Sequence, residues 1–193
     1  KNFSPLEHTL TLLMRRDFTA FRSSVIGYRA SGMGSDASIF ASLRAQLDQK
    51  EATEALVDGS DDFLFEALDT ALIDNFFSAM SLSLLAIERG EKPLMDQAIE
   101  RLKSSLSICA ELNLIPQWWS HRVAIHLLTD LWSNTFHERV PLQPLGGEAG
   151  DWPSLRELFI ATLQQRPKSE IDLWPSQFEA ATRAVDQSDD LVV

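Results

Sequence analysis

The sequence predicts an all-α protein, an antiparallel helical bundle or an array of helical hairpins, and three observations carry that prediction. Apolar residues recur at three- and four-residue spacing through most of the 193 positions. Helix-opening and helix-closing residues interrupt the pattern at short intervals, which makes consecutive helices antiparallel neighbours. An apolar fraction of 45% is ordinary for a globular chain, and the length suffices for one sizeable core or two small ones.

The first helix opens at Ser4-Pro5-Leu6-Glu7, with Ser at the cap, Pro at the first helical position and Glu placed for a capping box. Its inner face is Leu6, Leu10, Leu13, Phe18, Phe21 and Val25, and the pattern runs to the breaker Ser31-Gly32-Met33-Gly34. A second helix is expected from Ser35 or Asp36 to Gly59, facing inward with Ile39, Leu43, Leu47, Ala55 and Leu56. Residues 61–89 are apolar around nearly the whole circumference, so that helix belongs in the centre of the bundle, its aromatics read as core. Gly90 stops it and Pro93 starts the next, whose inner face is Leu94, Ala98, Leu102, Leu106, Cys109 and Leu112. After the break at Asn113-Leu114-Ile115-Pro116, a further apolar helix carries Trp118, Trp119, Val123, Leu128, Leu131, Trp132 and Phe136.

The loop Pro141-Leu142-Gln143-Pro144-Leu145-Gly146-Gly147 is dense in both chain breakers and marks the main boundary. Residues 1–140 form a helical domain, 141–152 a linker, and 153–193 a final unit that begins with the helix after Trp152-Pro153-Ser154 and runs to about Gln165.

The net charge of −11 is distributed as mixed-sign residues. It argues against nucleic acid gripped by this chain alone, because phosphate binding needs clustered Lys and Arg; a basic group at Arg15, Arg16, Arg22 and Arg29 reads as a solvated helix face. Cys109 is the single cysteine, a small core residue suited to a reducing, cytoplasmic setting. The longest uncharged apolar-rich run, 75–87, is too short to span a bilayer, so no membrane partner is expected. The start at Lys1 and the apolar finish suggest an excerpt of a longer chain.

Reactive constellations are weak. His8, His121, His126 and His137 lack the spacing of a zinc set and read as surface or partly buried residues. Ser and His are scattered without a nucleophile elbow, and neither Gly32-Met33-Gly34 nor Gly146-Gly147 follows a strand as a phosphate loop would.

The most specific stretch is Leu173-Trp174-Pro175-Ser176-Gln177-Phe178-Glu179-Ala180-Ala181, followed by Asp189-Asp190-Leu191-Val192-Val193. Ser176 and Glu179 fit a capping box, which puts the Gln177 amide near a helix start, and a Gln amide can pair with the N6 donor and N7 acceptor of adenine. These residues resemble the Gln motif and first core strand of superfamily two DEAD/DEAH-type helicases, particularly the superkiller-like group. The resemblance covers about the last twenty residues. It implies that the chain ends in the first helix and strand of a truncated RecA-like α/β domain, with Gln177 contacting adenine and Leu173 and Trp174 packing on its ring. It further implies ATP and Mg2+ as cofactors of the intact parent, with none binding tightly here, and RNA or DNA as its substrate. On that reading the helical domain is an accessory to an ATP-dependent helicase and docks a possible protein partner. The alternative, from another class, is a stand-alone helical scaffold that binds protein and has no enzymatic activity.

Overall fold

The computed structural model describes residues 4–31, 60–143, 150–166, 170–172, 176, 177 and 179. Within these it contains seven helices: α1 (Pro5–Met14), α2 (Phe18–Ala30), α3 (Ser60–Arg89), α4 (Lys92–Glu111), α5 (Ile115–Asn134), α6 (Phe136–Arg139) and α7 (Trp152–Gln164). The helix expected between Ser35 and Gly59 lies outside the described residues.

Local chemistry sets the ends of these helices. Ser4 and Glu7 form the anticipated capping box at α1. The apolar period then runs unbroken from Leu6 to Val25, yet the chain turns back at Arg15–Asp17, where Arg16 takes φ 55° and Asp17 caps α2 through the Ala20 N–H at 3.1 Å. Two helices therefore replace the single one expected. Folding the hairpin inward keeps all six apolar residues buried, so their spacing alone does not reveal the break.

Side-chain pairs fix the directions. Thr9 and Ser24 hydroxyls meet at 2.8 Å across the α1–α2 hairpin. Arg22 with Glu88 and Arg29 with Asp74 run α2 against α3, and the Asn75 amide donates to Ser105 Oγ and the Arg101 carbonyl across the α3–α4 hairpin. At the other side the Gln117 amide donates to Asp69, so α5 runs parallel to α3. The result is an up-and-down array wrapped on α3.

Helix α3 is the centre that its composition requires. Phe76, Phe77, Ala79, Met80, Ser83 and Ala86 are all fully buried over about half of the circumference, and the helix meets α2, α4 and α5. Each large side chain so buried contributes about 1.5–3 kcal/mol. An aromatic string crosses the body through this helix: Tyr28 stacks on Phe77, Phe77 meets Phe76 edge to face, and Phe76 meets the His121 ring in the same way. The stretch Leu68–Arg89 also has the length and hydropathy of a membrane span, a property that the uncharged run 75–87 alone does not show. Part of its apolarity is taken up by the helices packed on it, with 44% of that span-length window buried.

The expected ending requires correction. Among the described residues there is no β-strand, so the RecA-like α/β close is not what the structure shows. The residues leading into the terminal motif are committed to the helical body instead. Ile171 is buried in the main core and its carbonyl accepts from the Phe136 N–H at 3.2 Å; Asp172 makes one isolated antiparallel bridge to Thr135 and an ion pair with Arg16. The motif's own frame has a simpler cause. Trp-Pro-Ser-x-x-Glu occurs at Trp152–Glu157 as well as at Trp174–Glu179, and at the first position it opens α7, with Trp152 donating to the Pro141 carbonyl and Arg156 to the Val140 and His137 carbonyls. The pattern is therefore a helix-start signal, and the resemblance to DEAD/DEAH-type helicases, built on the Gln motif and first strand, is set aside. Residues 189–193, the expected strand, lie outside the described residues.

Gly90 closes α3 with φ +69°, and a Cβ there would lie 2.4 Å from His137 Nδ1. The His137 ring is hemmed in by Gln164, and its carbonyl is held by Arg156 at 2.6 Å. Gly90→Ala is expected to destabilise the fold by about 1–3 kcal/mol, from left-handed backbone strain together with the clash. Urea unfolding of the variant checks this; an unchanged midpoint would mean that the turn relaxes freely.

Candidate functional site

The site expected from the sequence is largely out of view. Gln177 is helical and exposed, with Ser176 and Glu179 helical beside it, whereas Leu173 and Trp174 lie outside the described residues. The four histidines are dispersed: His8 is exposed on α1, His126 exposed on α5, His137 sits half-buried on α6, and His121 is fully buried between α3 and α5. Among the described residues no group of three or more His, Cys, Asp or Glu is placed to hold a metal ion. The basic group also resolves differently from a solvated face. Arg16 pairs with Asp130 and Asp172, Arg22 with Glu88 and Arg29 with Asp74, so three of its four members bind carboxylates on other elements.

His121 departs from the expectation of a surface or partly buried residue. Its Nδ1 donates to the Gln117 carbonyl at 2.8 Å, while Nε2 is buried with no hydrogen-bond partner among the described residues. Burial holds its pKa below 6.5, with backbone contacts opposing that shift in part. His137 is lowered too, first by burial and then by the Arg156 charge.

An exposed apolar surface lies at the tip of the α4–α5 hairpin. Asn113, at φ 57°, ends α4, and the Leu114 N–H reaches back to the Cys109 carbonyl at 2.8 Å; Asn tolerates this left-handed conformation better than most residues. Pro116 then sits in the first turn of α5. This tight return leaves apolar residues of both helices facing solvent. Ile108 and Leu112 on α4 remain 41% and 48% exposed, and Ile115 and Trp119 on α5 are both 57% exposed. The inner face of α4 is accordingly turned from the expected one: Met95 and Ser105 are buried on it, and Leu112 is not.

Between these residues is a cavity of about 280 Å3 lined by Cys109, Ala110, Asn113, Ile115, Trp118 and Trp119. The two indoles pack edge to face at 5.1 Å, and the Arg122 guanidinium lies 5.0 Å from the centre of the Trp118 ring. Burial and the nearby Asp69 carboxylate push the Cys109 thiol up, away from the reactive thiolate. The tip thus offers apolar area and aromatic faces and lacks an activated nucleophile. Tandem Trp at the helix start was visible in the sequence; its exposure was not, because both residues fit the apolar period.

Comparison with protein-family models and with curated proteins finds no match. The described residues likewise present neither a strand nor a metal-holding cluster around which a nucleotide site would be built. The function of an ATP-dependent helicase, with its ATP-binding and hydrolase character, is therefore corrected. ATP, Mg2+ and a nucleic-acid substrate had stood on that resemblance alone.

The two lowered histidine pKa values have a consequence for stability. A histidine held neutral in the fold but free to protonate when unfolded contributes stability that is fully present above about 6.5 and is lost as the pH falls through the folded value. The urea midpoint is expected to drop between pH 7 and pH 5, with His121→Gln showing a shallower dependence. A variant as pH-sensitive as the parent would remove His121 as a source.

Proposed function

We propose that this chain is a helical protein-interaction module whose contact surface is the α4–α5 tip. The observation that carries the reading is the exposure of four large apolar residues at this tip, Ile108, Leu112, Ile115 and Trp119, all 41–57% exposed, of which Ile115 and Trp119 line a cavity. Contiguous exposed apolar surface of this kind marks interaction sites. Trp and Arg, here Trp118, Trp119 and Arg122, are the residue types that dominate interface energetics. Helical spacing on both sides of the groove suits a partner helix that inserts apolar side chains between α4 and α5. The net charge of −11 favours a partner segment with basic flanks.

Selection from a displayed library of amphipathic, Lys-flanked helical peptides tests the proposal. Peptides recovered on the parent protein are expected to lose tenfold or more in affinity for Trp119→Ala, the scale of a hot-spot residue, while its circular dichroism stays unchanged. Recovered peptides that bind Trp119→Ala and Leu112→Glu as tightly as the parent would overturn the assignment of this surface.

A further inference from the structure

At the opposite end of the bundle a second cavity, of about 450 Å3, is enclosed by the start of α2, the end of α3, the end of α7 and Ile171. That volume falls in the range of small-molecule sites, about 300–1,000 Å3. Its floor is apolar, formed by the buried Phe18, Ile87 and Ile171. The wall on the α7 side is fixed, because the Gln164 amide donates to the Ile87 carbonyl at 3.0 Å.

Charge gathers at the mouth. Arg22 on α2 and Arg166 just beyond the end of α7 line it, together with Glu88. Arg22 meets Glu88 at 2.7 Å and Arg166 meets Glu170 at 3.3 Å, and all four side chains are about half exposed. Ion pairs this exposed contribute about 0–1 kcal/mol, so either guanidinium can exchange its partner for a ligand anion. A guanidinium presents a planar fork that matches a carboxylate. Glu88, paired with Arg22 and lining the same cavity, disfavours a doubly charged head group.

We propose that this cavity binds a small amphipathic monocarboxylate, its apolar tail on Phe18, Ile87 and Ile171 and its carboxylate at Arg22 and Arg166. The site is independent of the α4–α5 tip, which lies at the other end of the helices.

Titration of the full chain with decanoate below its micelle concentration, followed by amide NMR, tests this. Saturable binding is expected, with shifts concentrated in residues 18–22, 84–88 and 164–166. The double variant Arg22→Gln, Arg166→Gln should weaken binding tenfold or more, and methyl decanoate should bind the unmodified protein at least tenfold more weakly than decanoate. Trp119→Ala should leave decanoate binding unchanged. The proposal is overturned by a lack of saturation up to millimolar decanoate, by equal binding of the ester, or by shifts centred on Trp118 and Trp119. The ester comparison needs no variant, so it decides the question even if the double variant folds poorly.

Discussion

Everything in this structure depends on covering α3. A helix with Phe76, Phe77, Met80 and Ala86 fully buried needs partners along that half of its circumference, and it meets α2, α4 and α5. The polar residues that remain on it are used to set register. Asn75 fixes α4, Asp69 fixes α5, and Asp74 and Glu88 fix α2. Apolar burial supplies the drive to assemble, while these few pairs decide which rotation and direction each neighbour adopts.

A bundle ordered in this way has two chemically different ends. The α4–α5 tip exposes apolar side chains of both helices. At the other end α6, α7 and residues 170–172 fold back over the ends of α3 and α5, and the cover is incomplete between Phe18 and Arg166. Helix α5, with 20 residues, separates the two by about 30 Å. One end is suited to a macromolecular face and the other to a small amphiphile, and the same central helix supports both.

Helix type was the most legible feature, because caps and periodicity are local. Ser4 with Glu7, Gly90 after Arg89, and Pro93 and Pro116 in first turns all act where the sequence places them. Rotation and exposure were less legible. The α4 period includes Leu112, but packing against neighbouring helices, which no local pattern encodes, leaves Leu112 in solvent while Ser105 is buried. His121 read as a surface or partly buried residue because nothing in a single sequence marks a histidine facing Phe76. The terminal motif misled for the converse reason: Trp-Pro-Ser-x-x-Glu has a local meaning, a helix start, and the nucleotide site needed long-range partners that a motif cannot supply. Neither cavity could be foreseen, since each is bounded by residues far apart in the chain.

The clasp at Asp172 bears on mechanics. Arg16 at the α1–α2 turn and Thr135 at the α5–α6 turn grip the same short segment, one through charge and the other through backbone. A pull applied to the chain beyond residue 172 is shared between the first helical hairpin and the end of α5, instead of peeling α7 away alone. Load on that side of the molecule is thereby delivered to the centre of the fold, and the bundle responds to tension as one body.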